Sequence, residues 1–385
     1  MGKGTFPVES FKGYETPFYY YDVDLLKQTL SVVKELTNKY GSLQHYAVKA
    51  NANHKILQLI AAAGFGADCV SGNEVKAAVM AGFPSSKIVF AGVGKTDKEI
   101  NQALDYNIFC FNVESIPELE VINQLAEKKG KKAPIAIRIN PNVDANTHEY
   151  ITTGLNENKF GFSMSSIRKA FDLIKKLNNV ELIGIHFHIG SQITDIKTFE
   201  PLCDRVNELQ ILCESEGLSV KHINVGGGLG IDYQNPGANL IPNFQEYFKL
   251  FHEKLILRKT QLLHFELGRS IVAQCGSLVS RVTYVKEGDS KKFLILDAGM
   301  TDLIRPALYQ AYHQIENISS DLPAQKYDIV GPICESTDVF AKDYQLNQSN
   351  RGDFIVLRSA GAYGEIMASQ YNCRETPKAY FSDKL

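Results

Sequence analysis

The chain has 385 residues, of which 44% are hydrophobic and 22% charged, and its net charge is −2. This composition is ordinary for a globular protein of two domains, or of one barrel with an appended domain. The small charge argues against a nucleic acid or an anionic membrane as partner. Seven scattered cysteines without a CxxC pair predict reduced thiols, and no apolar run reaches the length of a signal or a membrane span. We therefore expect a soluble cytoplasmic protein.

From about residue 40, short apolar runs alternate with longer segments of helical period. The predicted strands cover residues 43–49, 66–71, 87–92, 107–113, 134–140, 182–190, 222–228 and 261–268. The predicted helices cover residues 54–64, 73–82, 115–130, 164–177, 197–217 and 244–257, with Ser115 as an N-cap. This alternation predicts parallel strands covered by helices, and eight such units fit a (β/α)8 barrel. An open doubly wound sheet is the alternative, but no GxGxxG motif follows the first strand.

After about residue 270 the runs are strand-like and separated by polar turns, which indicates an antiparallel β domain. The strand-like segment 17–22 precedes the first helix, and we expect it to join that domain. We predict an α/β fold in which residues 25–270 form a (β/α)8 barrel. Residues 271–385, with residues 1–24, are predicted to form an antiparallel domain of the β-sandwich or barrel type.

Many polar residues stand at the predicted carboxyl ends of the strands, where the active site of such a barrel lies. The polar residues are Lys49, Asp68, Ser71, Arg138, Asn140, His186, His188, Ser191, Glu266 and Arg269, and three glycines, Gly226, Gly227 and Gly228, stand at the same ends. Lys49 follows an apolar strand, and desolvation there lowers the pKa of a lysine and makes it a nucleophile toward carbonyls. The alternative is a lysine whose ammonium reaches the surface at the strand end.

The stretch "NVGGGLG" (224–230) follows the seventh predicted strand, where barrels of this kind often hold phosphate. A buried lysine and a phosphate site together match pyridoxal phosphate, which needs an amine and an anion cradle. Glu266 can keep the pyridine nitrogen of that cofactor protonated. The alternatives are a sterically tight turn for the glycines and an ion pair with Arg269 for Glu266.

Two other motifs are weaker. "AGVGKT" (91–96) resembles the end of a nucleotide-binding phosphate loop, but Val89 stands where the first glycine is needed. The pair His186 and His188 could ligate a metal, although no further ligands can be placed beside them. We therefore predict no metal site.

Taken together, the motifs resemble those of the diaminopimelate decarboxylases, which have the alanine-racemase-like fold of pyridoxal-phosphate enzymes. The resemblance covers nearly the whole chain and rests on "YAVKAN" (46–51), "HFHIGSQ" (186–192), "NVGGGLG", "DAGMTDLIRPALY" (297–309), "GPICESTD" (331–338) and "AGAYG" (360–364). "CES" and "RPALY" are the most specific of these. The sequence departs from the family where "ELGR" (266–269) has Leu267 in place of the usual proline, and where "AGVGKT" lacks a common asparagine.

The resemblance implies decarboxylation of meso-2,6-diaminopimelate to L-lysine and CO2, the last step of bacterial lysine biosynthesis. It implies that Lys49 carries the cofactor covalently, that His188 stacks on its ring and that Cys334 protonates the α-carbon. The implied cofactor contacts are Lys49, Asp68, His188, Ser191, Gly226, Gly227, Gly228, Glu266, Leu267, Gly268, Arg269 and Tyr363. The implied substrate contacts are Arg269, Arg305, Tyr309, Glu335 and Tyr363. Cys334 and Glu335 match residues that a second subunit contributes, so the resemblance implies a homodimer with shared active sites.

Four other functions stay open at this point. Ornithine- or arginine-type decarboxylases of this fold bind a bare terminal cation and need an aspartate where Glu335 stands. A racemase of this fold has an arginine at the pyridine nitrogen, in place of Glu266. A non-catalytic pyridoxal-phosphate carrier protein has no need of the β domain or of Cys334, and a metal-dependent barrel hydrolase needs more ligands than His186 and His188.

Overall fold

The computed structural model describes residues 6–143 and 159–385. Within these ranges, none of the helices is both long and apolar enough to cross a membrane. The described chain divides into two units. The barrel unit comprises Leu30–Gly230 and Asn243–Gly268, and the sheet unit comprises residues up to Thr29, Ile231–Pro242 and Arg269–Leu385. The domain boundaries proposed from the sequence stay a prediction.

The elements are numbered in chain order. The strands are β1 (Phe18–Tyr21), β2 (Leu43–Ala47), β3 (Gly66–Cys69), β4 (Ile88–Phe90), β5 (Cys110–Val113), β6 (Ala133–Arg138), β7 (Val180–His186), β8 (His222–Asn224), β9 (Leu262–Phe265), β10 (Gly276–Glu287), β11 (Lys292–Leu296), β12 (Ile315–Asn317), β13 (Ala324–Val330), β14 (Val339–Asn347), β15 (Phe354–Leu357) and β16 (Lys378–Phe381). The α-helices are α1 (Val8–Phe11), α2 (Val23–Tyr40), α3 (His54–Ala62), α4 (Gly72–Met80), α5 (Asp97–Tyr106), α6 (Ile116–Lys128), α7 (Ile167–Ile174), α8 (Glu200–Ser215), α9 (Phe244–Lys254), α10 (Arg269–Val272) and α11 (Arg305–Tyr309).

Strands β2 to β9 form a closed parallel barrel in chain order, and β9 pairs with β2 to close it. The predicted (β/α)8 barrel is therefore confirmed. Its strands are buried along almost their whole length, as in β4 and β5. Burial on both faces explains why these strands are nearly continuous apolar runs.

The barrel helices begin at polar residues that follow the strands. Asn53, Ser71, Ser115 and Asn243 each accept a hydrogen bond from a backbone amide in the first turn of α3, α4, α6 and α9. Such caps satisfy amides that have no partner within the helix. The N-cap predicted at Ser115 is thus confirmed.

Two details of the barrel differ from the sequence prediction. The strand predicted at 43–49 ends at Ala47, and Val48–Ala50 forms a single 3-10 turn, so Lys49 stands just past the strand. Helix α5 was not predicted, although Thr96 and Glu99 form a complete capping box at its start. Thr96, which begins this helix signal, is also the last residue of the motif 91–96 that resembles a phosphate loop.

The sheet unit holds strands in the order β12-β15-β10-β11-β13-β14, with β1 paired to β10 and to β16. Most pairs are antiparallel, as predicted, but β1 with β16 and β11 with β13 are parallel. The segment predicted to join this domain is β1, which lies opposite residues 276–279 of β10. An aromatic cluster that includes Phe11, Phe18 and Tyr20 is buried against Val279 and Val356.

Candidate active site

The loop after β8 consists of three consecutive glycines. Gly226 has a φ of +72° and Gly228 a φ of +110°, which are left-handed values that favour glycine. A side chain on Gly226 would overlap the carbonyl oxygen of Phe187, and one on Gly227 would overlap that of Glu266. Because glycine leaves the backbone uncovered, an anion can approach the amides of this loop closely.

Glu266 follows β9 and is buried. Its Oε2 lies 2.8 Å from Nε2 of His186, and its Oε1 accepts hydrogen bonds from the side-chain amides of Asn224 at 2.6 Å and Asn112 at 3.3 Å. Burial by itself would raise the pKa of Glu266, but the His186 imidazole and the hydrogen bond from Asn224 lower the pKa below its usual value. Glu266 is therefore an ionised carboxylate inside the barrel.

His188 stands two residues beyond the end of β7. Its Nδ1 accepts a hydrogen bond from the backbone amide of Gly227 at 3.5 Å. Desolvation, followed by the positive charges of Lys49 and Arg138, lowers the pKa of His188 well below its usual value. The imidazole is therefore neutral and carries its proton on Nε2.

Lys49 and Asp68 bring an amine and a carboxyl group to the same edge of the barrel. Asp68 lies in β3 and is buried, and its Oδ1 has no hydrogen-bond partner among the described residues. Burial and then the negative charge of Glu266 raise the pKa of Asp68 well above its usual value, against the opposing effect of Lys49. A buried oxygen with unused hydrogen-bonding capacity is uncommon in a folded protein and indicates space for a further group.

The remaining predicted cofactor residues of the barrel unit lie in two loops. Ser191 follows β7 and is half-buried. Leu267 is fully buried, and its carbonyl oxygen accepts a hydrogen bond from the amide of Ala47 at 3.2 Å. A Cβ on Gly268 would lie 2.9 Å from that of Ala47, so the loop after β9 packs tightly onto the end of β2.

The predicted substrate residues lie in the sheet unit. Arg269 and Arg305 are both buried, and each places its Nη1 2.8 Å from the hydroxyl oxygen of Tyr233. The central guanidinium carbon of Arg269 also lies 4.8 Å from the centre of the Tyr363 ring. Tyr363 has a left-handed backbone, with a φ of +57°. Tyr309 is the last residue of α11, the helix that begins with Arg305. The structure thus brings the two predicted arginines together.

Cys334 and Glu335 lie in an exposed loop of the same unit. The carboxylate of buried Asp338 shapes this loop by accepting hydrogen bonds from the amides of Met300 at 2.6 Å and Ile333 at 2.7 Å. The Tyr371 hydroxyl donates to Oε1 of Glu335 at 2.7 Å. The thiol and the carboxylate are therefore presented outward on a firmly held loop.

The phosphate-loop motif at 91–96 has a structural explanation. The side chain of Lys95 is fully buried, and its ammonium pairs with Glu118 at 2.5 Å. It also donates to the carbonyl oxygens of Gly92 and Asn112. This lysine therefore stabilises the barrel.

The comparisons with known proteins agree with this geometry. Residues 24–273 match the family model of the pyridoxal-binding domain of pyridoxal-dependent decarboxylases. The chain is 62% identical to the diaminopimelate decarboxylase of Bacteroides thetaiotaomicron over 100% of both chains, and 43% identical to that of Aquifex aeolicus over 93% of this chain and 84% of the relative. The crystal structure of the Helicobacter pylori diaminopimelate decarboxylase with L-lysine has a TM-score of 0.93 and 42% identity, and the match covers 98% of this chain and 94% of that one. The chain belongs to the diaminopimelate decarboxylase family.

Pyridoxal phosphate is the cofactor of this family, and the barrel residues fit it. The glycine loop carries no side chain that would keep a phosphate away from its backbone, and ionised Glu266 offers an acceptor for a protonated ring nitrogen. The unpartnered Oδ1 of Asp68 lies at the same edge. Among the described residues, no three or more His, Cys, Asp and Glu side chains are grouped so that they could hold a metal ion.

Sequence reasoning missed residues that support the predicted ones. Tyr233 and His313 contact the arginines, Asp338 holds the loop of Cys334, and Tyr371 contacts Glu335. Asn224, a partner of Glu266, and Asp338 stand inside two of the quoted motifs, "NVGGGLG" and "GPICESTD". Tyr233 and His313 lie in loops, where no hydrophobic period marks a residue.

Proposed function

We propose that this chain decarboxylates meso-2,6-diaminopimelate to L-lysine and CO2, the last step of bacterial lysine biosynthesis. The observation that carries the proposal is the 62% identity, over the full length, to the diaminopimelate decarboxylase of Bacteroides thetaiotaomicron. Two features of the site support it: an ionised carboxylate within the barrel and a pair of buried arginines in the sheet unit.

The proposed cofactor site uses the barrel residues described above. When bound, pyridoxal phosphate supplies an electron sink for the electron pair that remains as CO2 departs. Lys49 holds the cofactor through its amine, and neutral His188 packs against the ring without adding a charge. Glu266 accepts the hydrogen bond of the ring nitrogen and keeps it protonated. The further contacts that we propose are Asp68, Ser191, Gly226, Gly227, Gly228, Leu267, Gly268, Arg269 and Tyr363.

The proposed substrate site must recognise the end of diaminopimelate that does not react. Arg269 and Arg305 bind its carboxylate through charge-assisted hydrogen bonds, and Glu335 binds its ammonium. Tyr309 and Tyr363 complete the substrate contacts. Cys334 is the acid that donates a proton to the α-carbon after CO2 has left.

We further propose that two copies of the chain form a homodimer in the cytoplasm, with Cys334 and Glu335 completing the site of the partner. Both residues are exposed in the single chain, which supports a role at a surface that a second subunit covers. All seven cysteines are unpaired, which fits a reducing compartment.

The test is CO2 release from meso-diaminopimelate by the enzyme with pyridoxal phosphate, for wild type, Lys49→Ala and Cys334→Ala. We expect release by the wild type, none by Lys49→Ala and a sharp decrease for Cys334→Ala. Cys373→Ala is the matched control, because Cys373 is the other exposed thiol. Its rate should stay within about twofold of the wild type, since surface substitutions of this kind are close to neutral.

The same assay with ornithine, arginine and lysine separates the alternatives. Release from one of these, and none from meso-diaminopimelate, would assign the chain to the decarboxylases of bare-cation substrates. No release from any substrate by a wild-type enzyme whose absorption spectrum shows bound cofactor would refute the proposed activity and favour a racemase or a carrier protein.

A further inference from the structure

The hydroxyl of Tyr233 connects the two arginines of the sheet unit. Arg269 and Arg305 each donate an N–H to the same phenolic oxygen at 2.8 Å. Both guanidinium groups also face its ring, with their central carbons 6.0 Å and 5.0 Å from the ring centre. Tyr233 therefore fixes the distance and the orientation of two cations that would otherwise repel each other.

The hydrogen-bonding capacity of this hydroxyl is only partly used. A phenolic oxygen has two lone pairs and one hydrogen to donate. The two guanidinium N–H groups occupy both lone pairs, and the O–H has no acceptor among the residues that the structure describes. The positive charges lower the pKa of Tyr233 even though burial opposes that change. The O–H is thus a polarised donor that lies between two cations.

His313 supports Arg305 from the other side. Its Nδ1 lies 2.8 Å from the carbonyl oxygen of Arg358, and this nitrogen must carry the proton because a carbonyl only accepts. Nε2 therefore has a free lone pair and accepts from Nη1 of Arg305 at 3.1 Å. Burial, and then the charge of Arg305, lowers the pKa of His313 to about 3, so the imidazole adds no third positive charge.

The net charge of this cluster calls for an anion. Within the described residues, Arg305 makes no ion pair with a carboxylate, and its direct partners, Tyr233 and His313, are both neutral. Burial lowers the pKa of Arg305, and the charge of Arg269 acts in the same direction against the opposing effect of Tyr233. A carboxylate with two oxygens matches the set of donors that the two arginines and the phenol provide.

We propose that Tyr233 is a substrate-positioning residue that joins Arg269 and Arg305 into one carboxylate site and donates its own O–H to that carboxylate, while His313 holds Arg305 in place. This inference rests on the proposed function, since the carboxylate is the one at the non-reacting end of the substrate. It makes Tyr233 a determinant of specificity, because ligands without a distal carboxylate do not use the site.

The test compares wild type with Tyr233→Phe, which keeps the ring and removes only the hydroxyl. Steady-state kinetics with meso-diaminopimelate should show KM raised roughly tenfold or more, the loss expected for a charge-assisted hydrogen bond, with kcat within about threefold. Tyr284→Phe is the control, because Tyr284 is an exposed tyrosine of β10, and its KM should stay unchanged. His313→Ala should raise KM in the same direction by a smaller factor.

Ligand binding gives a second readout that does not depend on turnover. L-lysine keeps the distal carboxylate and 1,5-diaminopentane lacks it, and each can be titrated against the cofactor absorbance of the holoenzyme. Tyr233→Phe should weaken L-lysine by the same factor as KM and leave the diamine unchanged. Equal weakening of both ligands, or an unchanged KM, would overturn the inference. A wild type that binds L-lysine but releases no CO2 from diaminopimelate would refute the proposed function alone.

Discussion

Gly227→Ala tests the glycine loop directly, because the added methyl group has no open space. A Cβ at this position would overlap the carbonyl oxygen of Glu266, which belongs to the backbone and cannot rotate away. The φ of Gly227 lies outside the left-handed region, so the substitution acts through volume alone. Overpacking of this kind destabilises a protein by about 1–3 kcal/mol. Because the same shift displaces the amides of the loop, we also expect pyridoxal phosphate to bind roughly tenfold more weakly, equivalent to about 1.4 kcal/mol.

The assay is urea unfolding of the cofactor-free protein together with a titration of cofactor binding by absorbance. Gly94→Ala is the matched control, because a Cβ there would have no described atom within 4 Å and its φ is not left-handed. Its free energy of unfolding should change by less than about 0.5 kcal/mol. If Gly227→Ala keeps both the stability and the cofactor affinity of the control, the loop is not the tight cradle that we describe.

Three further predictions concern buried carboxyl groups and their partners. Asp338→Ala should lower the free energy of unfolding by about 3 kcal/mol, because the backbone amides of Met300 and Ile333 lose a charged acceptor. A urea unfolding curve identical to that of the wild type would contradict this prediction. Burial raises the pKa of Asp302 from 3.8 to about 6, so the folded state binds this proton more tightly than the unfolded state does. The contribution of Asp302 to the free energy of unfolding is therefore complete below about pH 4 and is lost as the pH rises through about 6. Asp302→Asn should remove this part of the pH dependence of unfolding. A variant that keeps the same pH dependence would assign the titration to another group. Lys95→Ala should lower the free energy of unfolding by about 3–5 kcal/mol, because Glu118 remains buried without its cation. The double variant Lys95→Met/Glu118→Leu should recover most of this loss. A Lys95→Ala variant as stable as the wild type would show that the ion pair is not needed for stability.

Much of the barrel could be predicted because its strands are short apolar runs and its helices begin at polar caps. The predicted strand 66–71 contains β3, the predicted strand 134–140 covers all of β6 except Ala133, and Ser115 caps α6 as expected. The strand ends were predicted too late, as at residues 222–228, where β8 ends at Asn224. Val225 and Gly226 still form backbone hydrogen bonds with His264 and Glu266 beyond the end of β8, and the sequence pattern does not mark the residue at which the strand ends.

The predicted site residues carry a chemical signature in the sequence, whereas their supporting residues do not. Glu266 and the glycine loop stand in recognisable motifs after strands. Tyr233, by contrast, acquires its role only because two arginines that lie 36 and 72 residues away along the chain meet at its hydroxyl. Such a contact depends on the path of loops, which local propensity does not determine.

The pairing of β1 has a consequence for the order in which the chain can fold. Tyr21 lies opposite Gly276, about 255 residues later, and Tyr20 lies opposite Tyr380 near the C-terminus. During synthesis, therefore, this apolar strand leaves the ribosome long before either of its partner strands, β10 and β16, has been translated. The barrel strands, each paired with its neighbour in sequence except at the closure, can assemble in the meantime.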